Sequence, residues 1–162
     1  MEARRKRSVG VGLVALGLAV IVAVAGAQLV AATPSTGGAA STLLAQGATR
    51  SAATARVPNH TDVVMVQNTF PPGSSSGWHS HPGFTVVVVQ SGEITLYREA
   101  VDGGRCRVKT YEAGDTFYEW RRDAQNGINE GSAAAQLFVT FFKVPPGGSA
   151  RIDRPDPGNC PA

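Results

Sequence analysis

The sequence predicts an all-β fold, a sandwich or barrel of short antiparallel strands, occupying the last two thirds of a 162-residue chain. Three observations carry this: the apolar runs there are short and rich in β-branched residues, turn signals separate them, and none shows a 3.6-residue period. The predicted strands are DVVMVQNTF (62–70), FTVVVVQ (84–90), EITLYRE (93–99), RVKTY (107–111), DTFYEW (115–120) and QLFVTFFKV (136–144). Between them stand Pro71-Pro72-Gly73, Ser91-Gly92, Asp102-Gly103-Gly104, Ala113-Gly114-Asp115, Asn129-Glu130-Gly131 and Pro145-Pro146-Gly147-Gly148, all sequences that reverse a chain.

The preceding residues have a different composition. Arg4, Arg5, Lys6 and Arg7 lead into SVGVGLVALGLAVIVAVAGA (8–27), twenty residues without a charge, which as a helix would be about 30 Å long and could cross a bilayer. Residues 1–32 are therefore expected to be a signal peptide or a membrane anchor, with an apolar helix over about 8–30. Bases ahead of the run put everything after it outside the cytoplasmic membrane, anchored or secreted. Ala23-Val24-Ala25 and Ala25-Gly26-Ala27 fit a cleavage pattern, whereas the length of the run fits an anchor, so both outcomes stay open. Residues 33–56 are mainly Ala, Ser, Thr and Gly with no aromatic residue, and read as a flexible, disordered linker. The folded domain is 57–162, with a Pro-rich tail.

Charge excludes a nucleic-acid partner. The first ten residues hold four of the 15 bases and one of the 12 acids, so the remainder is electrically balanced and offers no basic face for phosphates. Two cysteines in an exported domain most simply pair, and a Cys106–Cys160 disulfide would tie the tail to the body. The alternative, Cys106 as a thiolate ligand or nucleophile, is disfavoured by an oxidising compartment.

Chemistry concentrates in Gly73-Ser-Ser-Ser-Gly-Trp-His79-Ser-His81-Pro-Gly-Phe-Thr85. On an extended segment, His-x-His puts both imidazoles on one face, where two neutral rings can grip a first-row metal ion. Aromatic residues flank the pair. Trp78 and Trp120, with Thr85, are candidate pocket residues for a small organic ligand, while Phe84 and Phe117 read as packing. Nucleophile-elbow, phosphate-loop and helical His-Glu-x-x-His motifs are absent from the sequence.

The spacing resembles the first signature of the cupin family, Gly-x5-His-x-His-x3,4-Glu-x6-Gly, with Gly73, His79, His81 and Gly92 in register. The second, Gly-x5-Pro-x-Gly-x2-His-x3-Asn, has a counterpart from Gly114 to Asn129. The resemblance covers about residues 63–146 and implies a double-stranded β-helix of the jelly-roll type with a site inside the barrel. It also implies a metal held by the two His, the following Glu and the second-signature His. Here the Glu position falls on Thr85 or Val86, the second His on Gln125, and the Pro and Gly positions on Trp120 and Arg122. The expected site is thus His79, His81 and the amide of Gln125 around a divalent ion (Zn, Mn, Ni, Cu or Fe) at low occupancy. Glu119 and Asp123, both near Gln125, could supply an oxygen to the ion if their loop turned inward, but the ordinary exposure of Asp and Glu favours reading them as solvated surface carboxylates. Two functions remain open: a binding module for a small molecule, or a metal-dependent oxygenase- or isomerase-like enzyme. Cupins commonly dimerise through their sheets, so the resemblance also brings a homodimer into view.

Overall fold

The computed structural model describes residues 41–100 and 104–160. The N-terminal apolar segment expected as a helix lies outside the described residues, as do residues 33–40 of the expected linker. Among the described residues there is no helix long and apolar enough to cross a membrane.

Ten strands are formed by the described residues: β1 Ala48–Thr49, β2 Asp62–Phe70, β3 His79–Ser80, β4 Thr85–Ser91, β5 Glu93–Arg98, β6 Arg107–Glu112, β7 Asp115–Glu119, β8 Gln125–Ile128, β9 Ala135–Val144 and β10 Ile152–Asp153. They make two five-stranded sheets, ordered β1-β7-β4-β9-β2 and β10-β3-β8-β5-β6. All pairings are antiparallel except β1 with β7. All six runs marked out by β-branching form strands, displaced by a residue at most. The four strands not anticipated are two to four residues long and carry little apolar signal: AT, HS, QNGI and ID. Their backbones are held by neighbours rather than by their own side chains.

Alternation sorts the side chains. Along β4, Thr85, Val87 and Val89 are buried while Val86 and Val88 lie half-exposed between them. The inward residues meet Ile94 and Leu96 of β5, Phe117 of β7, and Leu137 and Val139 of β9 in one core between the sheets. Each such side chain, fully buried, contributes about 1.5–3 kcal/mol relative to exposure.

Part of the segment read as a flexible linker is ordered on this frame. Ala48 and Thr49 pair with Asp115 and Thr116 on the edge of β7, and Arg50 reaches the Asp115 carboxylate at 3.0 Å. Gly47 permits the approach, since a Cβ there would stand 2.8 Å from the Asp115 carbonyl oxygen. Backbone hydrogen bonds to an open edge do not need an apolar sequence, which is why composition gave no warning.

Two tight places position the site. Gly92 turns β4 into β5 at φ 71°, where a side chain would be strained and would meet the Ala134 carbonyl. Gly83, immediately after the His-x-His segment, lies so close to β9 that a Cβ would collide with the Phe142 carbonyl oxygen. Beside it Phe142 N–H donates to Phe84 C=O at 2.9 Å. Gly83→Ala is therefore expected to destabilise the domain by about 2–4 kcal/mol, measured by denaturant unfolding. A change below 0.5 kcal/mol would show that β9 yields freely.

Candidate functional site

The inner faces of the sheets enclose a cavity of about 160 Å³. Its walls are mostly apolar, supplied by β2, β4, β5, β7 and β9. Its polar side chains include His79, His81, Glu119 and Arg151.

His79 begins β3 and His81 follows it, 8% and 3% exposed respectively, with ring centroids 4.9 Å apart. Each ring has one nitrogen fixed by the backbone. His79 Nδ1–H donates to the Gly77 carbonyl at 2.8 Å, and His81 Nδ1–H donates to the Ala150 carbonyl at 2.7 Å. A carbonyl can only accept, so Nδ1 carries a proton in both rings, and in the neutral form of each ring Nε2 is a lone pair. Burial holds His79 below the usual imidazole value, against the opposing pull of its bond to Gly77. Its ring is accordingly neutral at neutral pH, the form that ligates metal ions.

Glu119 takes the less favoured of its two sequence readings. Far from being solvated, it is 7% exposed, and its Oε2 lies 2.9 Å from His81 Nε2. The contact is close but is not aligned as a hydrogen bond, so Nε2 has no hydrogen-bond partner. Register explains the position: Glu119 on β7 stands directly opposite Thr85 on β4, and Thr85 occupies the place where the resemblance called for a carboxylate. The acid is present one strand away. A signal for it existed in DTFYEW, because Phe117 was read as packing and residue i+2 of a strand faces the same way. Asp123, by contrast, is partly exposed in the loop beyond.

Gln125 pairs with His79 across β3 and β8, so both side chains share a face. It is fully buried, and neither its Oε1 nor its Nε2 has a partner among the described residues. Thr85 is likewise fully buried, with Oγ1 unpartnered. The two tryptophans lie elsewhere. Trp120 is 44% exposed and packs on Phe84 at 5.0 Å, and neither it nor Trp78 lines the cavity. Trp120 follows the end of β7 and Trp78 precedes β3, beyond the alternation that turns their neighbours inward.

The remaining signature positions have structural work. Asn129 is fully buried, with Nδ2–H donating to the Phe70 and Ala133 carbonyls at 2.7 and 2.8 Å and Oδ1 accepting from Gly131 N–H. Arg122, where the resemblance has glycine, takes φ 67° and donates its N–H to the His81 carbonyl at 3.1 Å. The same left-handed turn is made here at a cost of about 1–2 kcal/mol.

The family model described as a cupin domain matches residues 67–141, the span that contains both histidines, Glu119, Gln125 and most of the cavity wall. Residues 67–141 are a cupin domain. Among solved structures the chain is similar to an oxalate oxidase, at 27% identity over 51% of this chain and 42% of that one, with a TM-score of 0.46. It is also similar to the oxalate decarboxylase of Bacillus subtilis, at 23% identity over 57% of this chain and 24% of that one, with a TM-score of 0.50. The chain thus spans less than half of either protein. A search of curated proteins found no match.

The C-terminal tail closes over the cupin site. β10 pairs with β3, matching Asp153 to His79 and Ile152 to Ser80. Arg154 N–H donates to Trp78 C=O at 3.0 Å, and its Nε–H to Ser80 Oγ at 2.9 Å. The tail ends in the Cys106–Cys160 disulfide, with Cα atoms 4.9 Å apart as the sequence led us to expect. Sequence reasoning saw the tether but missed that residues 150 and 151 belong to the site.

Proposed function

We propose that this cupin binds a small ligand in its barrel, beside a divalent ion held by His79 and His81 Nε2 and the Glu119 carboxylate, with Gln125 at the edge of the set. The observation that carries the reading is the unaligned 2.9 Å contact between His81 Nε2 and Glu119 Oε2. With Nδ1 holding the ring proton, two lone-pair atoms face each other in a buried site, an arrangement that calls for a cation between them. Two His and one carboxylate are a sufficient donor set for a first-row ion that keeps open positions, and backbone carbonyls already orient both rings. Among the described residues no group of three His, Cys, Asp or Glu side chains is placed to hold an ion as it stands, so binding by this trio requires the side chains to move together.

When bound, the ion would supply Lewis-acid polarisation of a ligand oxygen. The protein's own groups orient the ligand, exclude water through the apolar walls, and offer the Glu119 carboxylate as a proton acceptor beside it. The missing fourth family ligand, with Gln125 in its place, favours capture of a ligand over turnover. A metal-dependent enzyme is the second reading, and it rests on the open positions that three ligands leave. Export is supported by the basic tip and apolar run at the N-terminus and by the paired cysteines.

Zinc titration of the full chain, compared with Glu119→Gln, tests the reading. The substitution keeps volume and removes charge, so zinc affinity is expected to fall at least about tenfold while the unfolding temperature stays close to wild type. Equal affinities in the two proteins would remove Glu119 from the ion site.

A further inference from the structure

The cavity also indicates which kind of molecule it takes, an inference that rests on the proposed binding role. Its apolar wall includes Val87, Ile94, Leu96, Leu137 and Val139, all 4% exposed or less. A volume of about 160 Å³ matches that of apolar cavities that hold a molecule the size of benzene. A doubly charged, wholly polar acid such as oxalate would lose its hydration against these walls without finding partners for both ends.

Arg151 sets the other end. Its side chain lines the cavity from the tail, 42% exposed, and Nε–H donates to Asp153 Oδ1 at 2.6 Å. One terminal nitrogen lies against Gly77, whose added Cβ would stand 3.5 Å from it, next to the carbonyl that fixes His79. Among the described residues the two terminal amino groups have no hydrogen-bond partner. A guanidinium with both terminal groups free is a fork suited to a carboxylate. Asp153, 84% exposed, neutralises it only from the solvent side.

We infer that the ligand is a monocarboxylate with a compact apolar body, its carboxylate on Arg151 and its body against Val87, Ile94, Leu96, Leu137 and Val139. With the ion removed, Glu119 adds discrimination, because a second anionic group on the ligand, carried toward the histidines, would meet an uncompensated buried carboxylate.

The experiment titrates benzoate, benzyl alcohol and oxalate into the full chain, each with zinc removed by chelation and again with zinc added, for wild type and Arg151→Gln. Expected in the zinc-free samples is benzoate binding at least about tenfold tighter than oxalate, weakened at least about tenfold in Arg151→Gln while benzyl alcohol changes less than twofold. In those samples, oxalate binding as tightly as benzoate, benzoate indifferent to Arg151→Gln, or no benzoate binding would each overturn the inference. Zinc binding measured on the same samples reports separately on the ion site, so failure of one reading is distinguishable from failure of the other.

Discussion

Gln125→His is expected to raise zinc affinity at least about tenfold and to leave the protein with more bound ion after purification. Gln125 faces His79 across β3 and β8, is fully buried, and has an amide with no partner on either atom. Replacing it by an imidazole therefore breaks no hydrogen bond and adds a nitrogen on the face that already carries His79. The matching change at the other family position carries a folding cost that the histidine does not. Thr85 lies opposite Glu119, so Thr85→Glu would bury a second carboxylate beside the first, a like-charge pair that folding disfavours. Sequence alone would recommend both substitutions together. The structure recommends the histidine only. Elemental analysis of the purified variants decides the matter, and a Gln125→His protein that binds no more zinc than wild type would show that residue 125 does not reach the ion.

Removing the disulfide is expected to have the largest effect on stability. Cys106 and Cys160 are 54 residues apart, and the chain-entropy model gives about 4 kcal/mol for a loop of that size. Much of what the loop contains is the site itself: Glu119 and Gln125, the Ala150 carbonyl that orients His81, and β10 paired to β3. Replacing both cysteines by alanine should thus lower the denaturant midpoint and also weaken zinc binding, since the tail would fray from β3 and free the His81 ring. Unchanged midpoints for the variant and for wild type under reducing conditions would show that the tail is held by β10 and Arg154 without the bond.

The fold was legible where burial dictates residue type. Alternating Val, Ile and Phe in β2, β4, β5 and β9 announce half-buried strands, and Gly92 announces a turn that only glycine makes without strain. β1, β3, β8 and β10 were not legible, because their partners hold them through backbone hydrogen bonds. At the site, His79 and His81 were visible as a spacing, and so was Gln125 as a departure from it. Glu119 was weighed as a ligand and set aside, and Arg151 was not found, for different reasons. Glu119 required knowing that β4 and β7 are paired with Thr85 opposite it, and pairing between distant strands is a property of the whole sheet. Arg151 lies in a tail whose Pro-rich composition suggests nothing to bury, yet the Cys106–Cys160 bond and β10 bring it to the cavity. Trp78, Thr85 and Trp120, expected at a pocket, do not line the barrel cavity; Trp120 lines a smaller one beside Arg98 and Tyr118, and both tryptophans lie just outside the alternating segments.

The central claim, that His79, His81 and Glu119 share one ion, is tested most directly by anomalous diffraction at the zinc edge from crystals of the protein soaked in zinc. The account predicts a single strong peak inside the barrel, about 2.0–2.2 Å from His79 Nε2, His81 Nε2 and a Glu119 oxygen, with Nδ1 of both rings still on the Gly77 and Ala150 carbonyls. A barrel without a peak, or zinc found only at the exposed His60 and surface carboxylates, would contradict it.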